Sequence, residues 1–391
     1  MAAHPEISFH LPDRKRSITP QDPRWTQSLP TYPSAAPPLA SSDTPVLSYG
    51  EYFEAIAHFL ERNEYRHVRR AVGKLLPSTS IPDKWKIKIV SEKHGAFYHP
   101  ARIQVDLGHR TLDLVINLAL SEAGRRVLPQ EVENLLRLEL EFGLTYLPRV
   151  FGSGELTLDA RRKVSLFLGE WFGGYFEFHL ASHPRSGRAA IHLWEPGRRD
   201  RFLTRLESEQ LFFQAALILT SYYNPLTTEQ LFPWHHAAGD FLFRPDASSD
   251  DSAVRLITVR GYKPLIRGFP DPPATQDIVD GLVLFFLQMG LRLRLDRLSG
   301  VGQPAWIGPQ VLAPILDGFR VGLEFQTVHY GLPPGFARGV CNYLQRLDHE
   351  NLEDLYGDLV QQLYPPGARE QTQVALGLKD HIHDLASLLT G

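Results

Sequence analysis

The hydrophobic pattern changes period several times along the chain. From Ser48, Tyr52, Ile56, Phe59, Leu60 and Val68 recur at helical spacing, which predicts an amphipathic helix ending near Gly73. KWKIKIVSE and ARIQVDL then alternate charged and apolar residues, as half-buried strands do, on either side of the one-glycine turn KHGAFYHP. TLDLVINLAL predicts a third strand, with Asn117 the polar residue in its apolar middle. LPQEVENLLRLELEF (128–142) returns to the helical period, with Pro129 read as a first-turn proline and Glu131, Leu135 and Leu138 on one inward face. YLPRVFGSGEL reads as strand and turn, VSLFLGEWFGGYFEFHL as a strand entering Gly173-Gly174, and IHLWEP as a further strand. A helix from Ser208 to Tyr223 stops at Asn224-Pro225. Next comes a hairpin signal: Phe241 to Phe243 and Val254 to Val259 flank the polar loop PDASSDD. The remainder is mostly helical, in segments at 276–298, 309–325, 335–347 and 350–364 and a last one at the C-terminus.

Strands concentrated in the first half and helices in the second predict an α+β protein with segregated lobes. The expected organisation is a flexible proline-rich arm over 1–47, a helix and β-rich lobe over 48–170, and a hinge with a helical lobe over 171–391. Composition changes this picture little. The 391 residues are 22% charged and 43% hydrophobic, an ordinary soluble balance. With 41 basic and 44 acidic residues the net charge is −3, so neither nucleic acid nor a membrane surface is an expected partner. A single cysteine, Cys341, excludes an intramolecular disulfide and a multi-cysteine zinc site, and fits a reducing cytoplasm, the expected location. The longest apolar run, near Leu282 to Leu287, is too short to span a bilayer, and the N-terminus lacks the apolar region of a secretory signal.

Candidate chemistry gathers around the hairpin. Asp240 stands at its mouth behind Gly239, one turn after His235 and His236. Imidazoles and a carboxylate suit zinc, manganese or iron, yet adjacent histidines diverge on most backbones and no HExxH spacing accompanies them. Neither G-x-S-x-G nor a cysteine–histidine signature appears; FGSGEL reads as a turn and Cys341 as a core residue. Glu170, Trp171, Tyr175, Glu177 and His179 make an aromatic, acidic stretch that suits either a ligand pocket or packing between lobes. Arg292, Arg294 and Arg297 either grip a phosphate or acidic partner or simply fringe a helix.

This order of elements resembles the protein-kinase-like fold, most closely its aminoglycoside-phosphotransferase-like branch, over about residues 80 to 320. VINLAL falls where that family's third strand carries its phosphate-binding lysine, and LPQEVENLL resembles the helix whose glutamate, here Glu131, pairs with it. LFLGEWFGG, with Glu170 and Trp171, is similar to the adenine-binding hinge. HHAAGD resembles the catalytic loop, with Asp240 as base, and RLITVRGY the strand carrying a metal-binding aspartate. Each motif departs from the family pattern. The lysine position is the neutral Asn117, and the metal-binding asparagine, five residues after the base, is Pro245. The second metal ligand is Thr258, and the phosphate loop keeps only Gly95. Arg260, or one of Lys86, Lys88, Lys93 and Arg102, offers a substitute charge.

Losing one charge-stabilising group at such a centre costs about 10²–10³ in rate, and such losses are not additive. The resemblance therefore implies a catalytically impaired, pseudokinase-like module, with a nucleotide or other small ligand in an inter-lobe cleft and a protein as further partner. ATP is the implied cofactor, and the missing ligands argue against Mg2+. Two alternatives stay open: an atypical ATP-dependent phosphotransferase with Asp240 as base, and a structural interaction scaffold. Plugging by Phe97 or Tyr98 would favour the scaffold.

Overall fold

The computed structural model describes residues 4–12, 17–30, 46–92, 95, 97–185, 187, 189–195, 198–234, 239–247, 252–300, 302–364, 367–368 and 370–390. It divides into two compact units, Met1–Gly173 and Gly174–Gly391.

The first unit is built on antiparallel strands β3 (Lys86–Ser91), β4 (His99–Asp106), β5 (Thr111–Ala119), β6 (Val150–Thr157) and β7 (Lys163–Glu170). They lie in the order β3-β4-β5-β7-β6, with helix α2 (Glu122–Phe142) inserted between β5 and β6. Helix α1 (Tyr49–Leu75) starts at a reciprocal cap, with Glu51 N–H donating to Ser48 Oγ and Ser48 N–H to the Glu51 carboxylate. Tyr52, Ile56, Phe59 and Leu60 of α1 join Ile87, Ile103, Ile116 and Leu168 of the sheet in one core. The buried Leu128, Leu135 and Leu138 of α2 fall outside that core, and α2 packs on β5, β6 and β7.

Three expectations are corrected here. The segment before Ser48 is not a free arm where it is described: β1 (Glu6–His10) pairs in parallel with β3, and β2 (Ser17–Ile18) pairs with β1. Ile18, Trp25, Leu29 and Leu47 are buried, so apolar anchors spaced between the prolines tie the segment down. Pro129 is not in a first turn. The helix begins seven residues earlier at Glu122, because Ser121 caps it by accepting from Gly124 N–H at 3.1 Å. FGSGEL is no turn but part of β6, and its glycines give room to α1: a Cβ on Gly152 would lie 2.0 Å from His67 Nδ1.

The second unit carries helices α3 (Arg205–Ser221), α4 (Thr275–Arg294), α5 (Leu312–His329), α6 (Phe336–Leu344), α7 (His349–Leu363) and α8 (Gln371–Thr390). It is not purely helical. Strands β8 (Phe176–Ser182), β9 (Ala189–Glu195) and β10 (Arg198–Phe202) join the hairpin β12 (Phe241–Phe243) and β13 (Val254–Leu256) in a sheet ordered β10-β9-β8-β12-β13. Two small ribbons complete it: β11 (Glu229–Leu231) with β14 (Tyr262–Pro264), and β15 (Leu295–Arg297) with β16 (Pro304–Trp306). Phe178, Leu180, Phe241, Phe243, Val254 and Leu256 bury one face of the larger sheet. None of the described helices is long and apolar enough to cross a membrane. The chain is thus α+β, a β-rich first unit with one inserted helix followed by a mainly helical second unit, in protein-kinase-like order.

Candidate functional site

In the second unit the hairpin brings three expected site residues together. Phe241 pairs with Leu256, and Ile257 N–H donates to the Asp240 carbonyl at 2.8 Å. Asp240, Thr258 and Arg260 therefore cluster at the open end of the hairpin. Gly239 reaches Asp240 with φ +72, and a Cβ there would lie 3.0 Å from Glu177 Cδ, so both backbone and space call for glycine.

The Asp240 carboxylate is 2% exposed and closed by a fork: Arg260 Nη2 donates to Oδ1 at 2.6 Å and Nη1 to Oδ2 at 3.0 Å. A second cation acts on the same carboxylate. Arg292 lies over the rings of Phe232 and Trp234, at 4.8 and 5.3 Å, and donates to the Trp234 carbonyl. Burial lowers its pKa, while Tyr364, Glu370 and Asp240 oppose that shift.

Arg292, Arg294 and Arg297 are thus neither a phosphate grip nor a helix fringe. Arg294 donates to the Ile307 carbonyl, His381 and Asp384, and Arg297 pairs with Glu370. They bind the C-terminal helices to the unit. Pro245 lies in the turn beyond β12, past the strand that Asp240 precedes. His235 and His236 fall outside the described residues. No group of three or more metal-ligating side chains occurs among the residues that are described.

In the first unit the expected residues separate. Asn117 on β5 is half-buried, in register with Pro100 of β4 and Phe167 of β7, on the face opposite Ile116 and Leu118. Glu131 is 1% exposed and accepts a 2.5 Å hydrogen bond from the Tyr98 hydroxyl. The turn expected to cover phosphates is therefore drawn onto α2. Gly95 N–H closes it on the Tyr98 carbonyl, and the Phe97 carbonyl lies so near Gly124 that a Cβ there would approach to 2.6 Å.

Of the four basic residues weighed as substitutes for the lysine, Arg102, Lys88 and Lys86 lie on the sheet face of Asn117. Arg102 is shared between Glu92 and Asp113, both at 3.6 Å, with its guanidinium 5.4 Å from the Trp171 ring centre. Lys86 pairs with Glu6 at an exposed edge, and Lys93 lies outside the described residues. Glu170 is held by Arg149, whose Nε is 3.5 Å away. Sequence reasoning missed the Tyr98–Glu131 bond and the role of Arg292, since neither pair is close in sequence.

No family model matches the sequence, and no curated protein matches it. Among solved structures, one similar chain is described as WaaP in complex with acyl carrier protein: 15% identity, TM-score 0.28, covering 64% of this chain and 86% of that one. Another is Rad53 1-466 in complex with AMP-PNP: 13% identity, TM-score 0.34, covering 72% of this chain and 66% of that one. At those scores neither assigns a function, and the fold class rests on strand order and element sequence.

Proposed function

We propose that this chain is a kinase-like protein that has lost metal-assisted phosphoryl transfer and works as a regulatory or ligand-binding module. The observation that carries this reading is the fork from Arg260 onto the buried Asp240. A general base needs a lone pair free to meet the acceptor hydroxyl, and a magnesium ligand needs an oxygen free to meet the ion. Here each carboxylate oxygen already accepts a guanidinium N–H and Asp240 is 2% exposed, so its remaining lone pairs are closed off from solvent.

The remaining residues point the same way. Asn117 supplies no charge for phosphates, and Glu131 has the Tyr98 hydroxyl where the family pattern has a lysine. The set of Asp240, Thr258 and Pro245 does not fit Mg2+: it offers one carboxylate, already paired, and one neutral hydroxyl. In the first unit Arg102 is already flanked by Glu92 and Asp113 and Lys86 by Glu6, which leaves Lys88 as the cation on the Asn117 face without an ion pair among the described residues. A nucleotide without metal, or another small ligand, is the class of occupant to test, and a protein the class of partner. The pinning of the Phe97–Tyr98 turn onto α2 favours the interaction role over the atypical-transferase alternative.

The test is ADP formation from ATP with magnesium or manganese, followed by chromatography. The expected result is no metal-dependent ADP from the wild-type protein or from Arg260→Gln. Metal-dependent turnover that Asp240→Asn abolishes overturns the proposal.

A further inference from the structure

About half of the described lysines and arginines of the first unit have a carboxylate beside them. Lys74 pairs with Glu139, Arg149 with Glu170, Arg162 with Glu51 and Asp159, and Lys163 with Glu155. Arg62, Arg66 and Arg70 of α1 have no ion-pair partner among the described residues.

Arg62 lies against β6, and Arg66 and Arg70 follow on the same helix, on either side of His67, which also packs on that strand. Helix α1 breaks at Arg62–Tyr65, where Asn63, Glu64 and Tyr65 take φ of 51, 55 and 62. Arg62 opens the break, and Arg66 and Arg70 follow it one helical turn apart. Arg62 Nη1 would be 3.4 Å from a Cβ on Gly154, and His67 Nδ1 2.0 Å from one on Gly152. Burial lowers the pKa of His67, a hydrogen bond to the Phe151 backbone opposes the shift, and the charges of Arg66, Arg70 and Arg62 lower it further. Guanidinium groups crowded without counter-ions repel, and their forks match carboxylates. Strand β6 is also the last of its sheet, paired with β7 alone among the described strands; Gly152 and Gly154 face α1, and the exposed Ser153, Glu155 and Thr157 lie on the other face. Such an edge can accept another strand.

We propose that the edge of β6 and the arginines of α1 form a docking surface for an extended, acidic segment of a partner protein. The segment adds its backbone to β6, and acids at alternate positions, which share one face of a strand, meet Arg62, Arg66 and Arg70. Glu155 does not oppose it, being paired with Lys163 at 3.3 Å. With a net charge of −3 on the whole chain, the attraction is local and salt-sensitive. This inference rests on the reading of the chain as an interaction module, yet its test fails separately, because ATP turnover and peptide binding are read in different assays.

The test is fluorescence anisotropy of the full-length protein with a labelled short peptide of alternating Glu and Val. Saturable binding is expected, weakened about tenfold or more by high salt or by Arg66→Glu with Arg70→Glu. A Lys/Val peptide should not bind. Both arginines are exposed, so the double variant should keep the wild-type circular dichroism and melting curve. Absence of binding, binding indifferent to the double charge reversal, or full competition by inorganic phosphate overturns the proposal; the last reassigns the surface to phosphate.

Discussion

At the scale of single residues, the pairing of Asp240 with Arg260 decides what the hairpin can do. Removing one partner of a buried ion pair leaves the other charge without compensation, which costs about 3–5 kcal/mol where both are fully buried. Arg260 keeps 23% of its side chain exposed, so Arg260→Gln should cost less than that, about 2–3 kcal/mol, in urea unfolding. Replacing both, Asp240→Leu with Arg260→Met, should cost less than either single change. A double variant that merely adds the two losses would show the pair to be uncoupled. The sequence named Asp240, Thr258 and Arg260 as candidates on one hairpin, because the hairpin signal is local, and Arg260 meets Asp240 there. It gave Asp240 and Arg260 separate roles, as base and as phosphate binder. The register that turns Arg260 back onto the carboxylate depends on the strands, and no pattern of residue types specifies it.

Elements show the same division between local and distant information. The amphipathic periods of α1 and α2 and the alternation in β3, β4 and β5 were legible, since each is a property of a short window. The left-handed break in α1 was not, because Asn63, Glu64 and Tyr65 carry no glycine to signal it. The close packing of α3 on α5 was equally hidden. A Cβ on Gly318 would lie 2.1 Å from the Phe213 carbonyl oxygen, so Gly318→Ala should destabilise by about 1–3 kcal/mol through forced separation of the helices. Thermal unfolding would check it, and an unchanged melting temperature would contradict it.

Helix α8 adds a pH dependence. His381 is buried, its Nδ1 accepting from Arg294 and its Nε2 hydrogen-bonded to the Tyr356 hydroxyl at 2.7 Å. Burial first, and the Arg294 charge second, lower its pKa from 6.5 to about 3. The unfolded chain therefore binds the extra proton between those values. Stability from this group is full above about pH 6.5 and falls as pH drops toward 3, by at most ~1.4 kcal/mol per pH unit. His381→Gln should be less stable at neutral pH but lose less on acidification, measured by melting at a series of pH values.

For the whole molecule, the order of elements from β3 to β9 was readable from the changes of period, whereas the short strands β10, β11, β15 and β16 and the attachment of the N-terminal segment were not. Prolines there mark irregular backbone, but Ile18, Trp25, Leu29 and Leu47 are too widely spaced for any periodic signal to expose their burial. Deleting residues 1–47 should remove β1 from the sheet edge and destabilise the first unit, on the order of 5 kcal/mol from lost apolar burial. Urea unfolding of the truncated chain would test this, and wild-type stability would restore the free-arm expectation. At this scale also lies the proposal that the chain has lost metal-assisted phosphoryl transfer. Calorimetric titration of the purified protein with ATP, with and without magnesium, bears on it most directly. The account predicts that magnesium leaves any ATP binding unchanged, whereas tightening by about tenfold or more would mean that Asp240 is released from Arg260 to hold the ion, and would contradict it.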